Sequence, residues 1–152
     1  MSDLSDIAAI YERARAFMND TGNPSQWGSA YPPLSLTVSD IENGELYVAY
    51  KDVIEAVFVF TKGKDPTYDY IDGKWLNTQE YRAVHRVASR GAVKGMLAKI
   101  MDFCFSECPN IKIDTHRDNA VMQKALLKYG FTRCGIIFLE NGEDRIAYQM
   151  KK

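Results

Sequence analysis

Residues 81–108 read YRAVHRVASRGAVKGMLAKIMDFCFSEC and join a strand pattern directly to a helix pattern. The first part mixes the apolar Val84 and Val87 with charged neighbours, which is typical of a strand that lies inside a sheet near a site. From Val93 onward, apolar residues recur every three or four positions, as on one face of a helix. The segment is therefore predicted to run as strand, turn and helix.

The turn of this segment predicts an anion site. Gly91, Ala92 and Gly95 leave backbone amides uncovered at the positive end of the helix dipole, where phosphate groups bind. Arg90 and Lys94 flank the turn and would complement an anion, whereas they oppose the helix dipole. The alternative is that the glycines only serve the turn itself. The nucleotide-loop patterns G-x-x-x-x-G-K-[ST] and G-x-G-x-x-G are both absent.

Length and composition narrow the class of protein. A chain of 152 residues is expected to form a single domain over residues 1–152 without covalent staples. Three cysteines give no disulfide framework, and two histidines without ligand spacing predict no metal site. A net charge of −1 argues against a nucleic-acid partner. With no apolar run of about 20 residues and no signal pattern, we expect no membrane partner and a cytoplasmic location.

Along the chain, helical and strand patterns alternate. Helices are predicted at residues 4–18, 37–43, from 93 onward and 119–129, and strands at 46–50, 53–61, 81–88, 111–115, 132–139 and 145–150. An aromatic and proline-rich loop follows the first helix, and a polar excursion at 62–77 separates two strands. One mixed, mostly antiparallel sheet with helices on both faces, an α/β fold, accommodates this order.

Three motifs resemble the GNAT superfamily of acyl-CoA-dependent N-acetyltransferases over nearly the whole chain. They lie at residues 85–95, 113–119 and 128–131. The resemblance implies a GNAT-like sheet that is splayed between the strands at 81–88 and 111–115, with acetyl-CoA as the cofactor. It also implies transfer of an acetyl group to a primary amine of a small molecule or peptide by direct attack in a ternary complex.

The resemblance also implies the cofactor site. Arg90 takes the first position of the pyrophosphate-binding motif and Gly95 the last, while Val93 stands where the family has glycine. The cofactor-binding residues expected on this basis are Val87, Ala88, Arg90, Gly91, Ala92, Val93, Lys94, Gly95 and Asn119.

Two further departures from the family pattern concern architecture and chemistry. The sequence leaves almost no room for a strand before the first helix, so this edge of the sheet is missing or is borrowed from a partner in a homodimer. Many relatives carry a tyrosine as general acid four residues before the Gly-Phe pair, and that position is Leu126 here. Tyr129 projects differently and is not given this role.

Candidates for catalysis and for acceptor binding come from residue chemistry. An amine must lose a proton before it attacks a thioester, and the candidate catalytic residues are His85, Asp114 and His116, with Glu55 as a further carboxylate. The alternative for each, which residue chemistry favours, is a hydrogen-bonded structural histidine or a solvated carboxylate. The residues expected to bind the acceptor are the aromatic Trp27, Tyr31, Tyr68 and Trp75. With carboxylates such as Asp65 nearby, their rings favour a cationic amine as the acceptor. Ordinary loop packing is the alternative explanation for them. A non-catalytic acyl-CoA-binding domain is the alternative function, and a pure interaction domain is a third.

Overall fold

A computed structural model describes residues 3–152. Within these residues, four α-helices occur: α1 (Leu4–Asp20), α2 (Leu34–Glu42), α3 (Met96–Glu107) and α4 (Ala120–Tyr129). The strands are β1 (Leu46–Tyr50), β2 (Ile54–Phe60), β3 (Asp72–Gly73), β4 (Arg82–Ser89), β5 (Asn110–Thr115), β6 (Thr132–Phe138) and β7 (Asp144–Lys151). A 3-10 turn at Pro66–Tyr68 precedes β3.

The strands form one seven-stranded sheet in the order β1-β2-β4-β5-β7-β6-β3. Every neighbouring pair is antiparallel except β4 and β5. The apolar side chains of α3 and α4 pack on one face of the sheet, and those of α1 pack on the other. The predicted mixed, mostly antiparallel sheet with helices on both faces is therefore confirmed.

The parallel pair β4 and β5 separates partway along its length. Its register joins Arg82 to Ile111 and ends with Val84 opposite Ile113. Beyond that point β4 continues against β2 as far as Ser89, while β5 continues against β7. The wedge between the two strands is the predicted splay.

A bulge in β4 lies at the start of this wedge. His85 pairs with Val59 and Ala88 pairs with Val57, so β4 carries one more residue here than β2 does. Arg86 has a φ of 49°, a conformation that side chains other than glycine rarely adopt. Such strain persists where surrounding contacts fix the residue, and it concentrates at functional sites.

The contacts that fix Arg86 come from α2 and from the loop before it. Its guanidinium forms two hydrogen bonds to the Asp40 carboxylate, at 2.9 and 2.8 Å, and a third to the Tyr31 hydroxyl at 3.2 Å. The Asp40 side chain is only 6% exposed. The pair ties α2 to the bulged strand.

Asp40→Asn is expected to lower the free energy of unfolding by about 3–5 kcal/mol, because it leaves the Arg86 cation buried without its counter-ion. The urea midpoint should fall at an unchanged m-value. Asp144→Asn is the matched control, since Asp144 pairs with an Arg117 side chain that is 66% exposed. It should cost less than about 1 kcal/mol. Equal losses in the two variants would contradict this account.

The structure moves the start of the second helix, and it leaves the homodimer prediction untested. The second helix begins at Leu34 rather than at residue 37, because Pro33 has extended backbone and precedes the helix without breaking it. Thr37 is therefore a buried residue inside the helix and not its first residue. β1 is an edge strand, and the expected strand borrowed from a partner in a homodimer stays a prediction. Between residues 3 and 152, no helix combines the length and apolarity that crossing a bilayer requires.

Candidate functional site

A cleft of about 790 Å³ opens at the wedge between β4 and β5. Its floor is formed by the separating strands, one wall by the loop after α1, and the other by the segment that leads to the 3-10 turn. Residues from each part are Val84–Val87, Ile113–Thr115, Gln26–Gly28 and Gly63–Thr67. The cleft therefore reaches from the apex of the splay to both loops.

The turn between β4 and α3 has a run of backbone N–H groups without partners. The N–H groups of Gly91 through Ala98 donate to no acceptor among residues 3–152, and no side chain caps α3. Gly91 and Gly95 have φ values of 84° and 69°, where glycine is favoured. An anion with several oxygens can accept from such a run at a positive helix end.

Arg90 anchors this turn to the sheet. Its N–H donates to the Glu55 carbonyl at 2.7 Å, and its Nε donates to the Ile54 carbonyl at 3.0 Å. Lys94 is exposed at the same turn. The structure therefore gives the two flanking cations different surroundings: Arg90 holds β2, and Lys94 faces solvent beside the free amides.

The other predicted cofactor residues divide between the cleft and the core, since only Val87 and Asn119 line the cleft. Val87 lines the cleft, whereas the Ala88 side chain packs in the core under α1 and Val93 packs against the core under α3. Asn119 caps α4 through its Oδ1 and donates to Gln26 through its Nδ2 at 2.9 Å.

A hydroxyl group that the sequence did not single out also faces this region. Thr115 ends β5 and lines the cleft, and its buried Oγ1 has no hydrogen-bond partner among the described residues. A buried polar atom without a partner is costly unless a ligand or water supplies one. The Thr115 hydroxyl is therefore a polar group of the cleft lining whose hydrogen bond is still open.

The residues next to the last paired positions of β4 and β5 form a polar cluster at the apex. His85 Nε2 lies 2.7 Å from Asp65 Oδ2, and His85 Nδ1 lies 3.8 Å from Asp114 Oδ1. The Tyr68 hydroxyl donates to Asp114 Oδ1 at 2.6 Å. Two of the three predicted catalytic residues are therefore brought together.

Burial and hydrogen bonding shift the ionisation of this cluster. Burial alone would raise the pKa of Asp65, but hydrogen bonds from His85 and Thr67 outweigh it and lower the pKa to about 2. Burial, together with the neighbouring Asp114 carboxylate, raises the pKa of Tyr68 well above its usual value. At neutral pH, Asp65 is therefore an anion and Tyr68 a neutral hydrogen-bond donor.

The four aromatic residues predicted to bind an acceptor divide into two pairs. Trp27 and Tyr31 line the cleft, with ring centroids 6.0 Å apart. The Tyr68 and Trp75 rings lie 5.3 Å apart with their planes tilted by 53°, and the Trp75 indole donates to the Tyr68 carbonyl. Only the first pair contributes to the cleft wall, while the second supports the apex.

The remaining candidates lie elsewhere. His116 is outside the cleft lining, and its Nδ1 accepts from the Asp118 N–H at 3.1 Å. Glu55 lines a separate groove between β1 and α3. Leu126 is buried in the core, and the Tyr129 hydroxyl donates to Asp102 on the surface. Among residues 3–152, no three histidine, cysteine or carboxylate residues gather as a metal site.

Comparisons with solved structures place this architecture among known folds. An acetyltransferase of the GNAT family from Streptococcus agalactiae is 29% identical, with a TM-score of 0.89 over 99% of this chain and 91% of that one. A GNAT-family acetyltransferase from Bacillus cereus is 20% identical, with a TM-score of 0.65 over 100% and 92%. A Bacillus subtilis acetyltransferase in complex with CoA is 15% identical, with a TM-score of 0.56 over 81% and 86%. No family model and no curated protein sequence matches.

Proposed function

We propose that this chain, which is a GNAT-superfamily protein by its fold, transfers an acetyl group from acetyl-CoA to a primary amine of a small molecule or peptide. The observation that carries the proposal is that β4 combines two features, a wedge along its length and a turn with free amides directly after it. Unpartnered amides at Gly91–Ala98 offer donors for a diphosphate, and β4 leaves β5 beyond Val84 so that an extended ligand can lie between the strands. This combination fits a long thioester with a diphosphate at one end.

Each part of the donor substrate has a proposed contact. The amides of Gly91, Ala92, Val93, Lys94 and Gly95 bind the diphosphate, with the Lys94 ammonium adding charge. The backbone of Val87 and Ala88 pairs with the pantetheine arm as an added strand would. Thr115 Oγ1 takes part in binding on the opposite side of the wedge. Arg90 contributes indirectly, because its hydrogen bond to β2 holds the turn in place. Asn119 contributes by capping α4.

The proposed reaction takes place at the apex, beside His85 and Asp114. The amine nitrogen forms a bond to the carbonyl carbon, the carbon–sulfur bond breaks, and CoA leaves as its thiolate. An amine with a pKa near 10.4 costs roughly 4–5 kcal/mol to deprotonate at pH 7, so a nearby base has a large effect. We assign this role to His85, and we assign to His116 the support of the turn before α4.

The buried Leu126 does not prevent this reaction. An ordinary thiol has a pKa of about 8.5, so release of its anion near neutral pH costs only about 2 kcal/mol. A dedicated general acid is therefore dispensable, and solvent can protonate the thiolate. A non-catalytic acyl-CoA-binding domain, which the same leucine also suits, differs from this proposal in turnover and not in binding.

Acetyl-CoA at millimolar concentration is expected to raise the melting temperature, and a panel of primary amines should release CoA thiol in its presence. Acetylated product is then identified by mass spectrometry. Binding without thiol release across the panel would favour the non-catalytic domain. No thermal shift with either acetyl-CoA or CoA would contradict both functions and leave an interaction domain.

A further inference from the structure

Asp65 is held rigidly against His85. Its Oδ1 accepts from the N–H and the hydroxyl of Thr67 at 2.9 and 2.7 Å, and its own N–H donates to the Tyr81 hydroxyl at 3.0 Å. Its Oδ2 is the atom 2.7 Å from His85 Nε2, and the two side chains are only 17% and 18% exposed. These contacts therefore hold the carboxylate in place against the imidazole.

This contact decides which nitrogen of His85 carries the proton. An ionised carboxylate only accepts hydrogen bonds, so the proton of the neutral imidazole lies on Nε2. The lone pair is then on Nδ1, which lies 3.8 Å from Asp114 Oδ1. That distance is too long for a hydrogen bond, and Asp114 Oδ1 already accepts from Tyr68. Nδ1 is thus left as a basic atom beside a second carboxylate.

We infer that Asp65 is the positioning residue for His85, and that the acceptor is an aliphatic amine that enters as an ammonium ion between His85 Nδ1 and Asp114. The inference rests on the proposed function and specifies its acceptor class and its base. Asp114 attracts the cation, His85 Nδ1 takes one of its protons, and Asp65 stabilises the imidazolium that forms.

The protons balance over the whole reaction. The ammonium ion gives one proton to His85 Nδ1, and the free amine then attacks the thioester carbon. The second proton leaves the nitrogen as the carbon–sulfur bond breaks and ends on the CoA thiol through solvent. His85 returns its proton to water. The acetamide, the thiol and one released proton are the products.

Two measurements test the positioning role of Asp65. Asp65→Asn keeps the shape of the side chain but removes its charge, and should lower kcat about 10²- to 10⁴-fold, as loss of an orienting aspartate does in a triad. The KM for the amine and the acetyl-CoA thermal shift should change little. Nitrogen NMR should show neutral wild-type His85 with its proton on Nε2 and a mixture of tautomers in the variant. His116→Gln assigns the spectrum, because the chain has two histidines.

Asp69→Asn is the matched control, since Asp69 is an exposed carboxylate at the end of the same 3-10 turn. It should retain the wild-type tautomer and kcat within about threefold.

The acceptor class is tested with benzylamine, an ammonium ion at pH 7, against aniline, which is neutral there. Benzylamine should be the better acceptor.

The possible outcomes test the role of Asp65, the acceptor class and the proposed function separately. A wild-type proton on Nδ1, or an Asp65→Asn enzyme with unchanged kcat, would overturn the role of Asp65 while leaving acetyl transfer intact. A preference for aniline would overturn the ammonium acceptor. If the wild-type protein turns over no amine, the proposed function fails, and the tautomer measurement still decides whether Asp65 orients His85.

Discussion

Gly91→Val is expected to weaken acetyl-CoA binding by about 100-fold or more. Valine cannot readily adopt the φ of 84° found at Gly91, so the turn must rearrange and its N–H groups lose their common direction. A hydrogen bond to a charged group contributes about 1.5–3 kcal/mol, and loss of two already exceeds the 2.8 kcal/mol or so that correspond to a 100-fold change. Calorimetric titration with acetyl-CoA measures the effect.

Gly142→Val is the matched control for this variant. Gly142 has a φ of 86° and, like Gly91, has no atom closer than 3.9 Å to an added Cβ. The two substitutions therefore cost similar backbone strain, and only one of them lies at the unpartnered amides. The control should bind acetyl-CoA as the wild type does. A folded Gly91→Val protein with wild-type affinity would remove the turn from the cofactor site.

Local patterns in the sequence were sufficient to predict the strand, turn and helix of residues 81–108. The period of the apolar residues changes from a strand pattern to a helix pattern at the glycines, and both signals lie within a few residues of each other. The predicted start of α2 at residue 37 was wrong for an equally local reason. A proline that precedes a helix looks like one that interrupts it, and only the backbone of Pro33 distinguishes the two.

The apex of the cleft was predictable only in part. His85 and Asp114 follow from their places on the two strands that the GNAT resemblance identified. Asp65 and His85 are in contact although they lie 20 positions apart in the sequence, because a loop folds back onto β4. Tyr68 and Asp114, which share a hydrogen bond, are 46 positions apart. The left-handed φ of Arg86 has no sequence signal either, because arginine has no preference for that conformation and the Asp40 contact that fixes it is also 46 positions away.

His85→Gln is expected to lower kcat about 10²- to 10⁴-fold, the usual contribution of a general base, with little change in acetyl-CoA affinity. Glutamine can still donate a hydrogen bond to Asp65, so the loop and the cleft should keep their shape, but an amide nitrogen does not accept a proton near neutral pH. Single-turnover kinetics at saturating amine separate this effect from a change in binding.

His116→Gln is the control that shows whether a loss of kcat is specific to His85. His116→Gln removes the acceptor of the Asp118 N–H and should reduce stability more than kcat, because His116 does not line the cleft. A loss of kcat in both variants would indicate a general structural effect, and a loss only in His116→Gln would move the base to the end of β5. A loss confined to His85→Gln, with acetyl-CoA binding retained, would tie proton removal to the apex where β4 and β5 part.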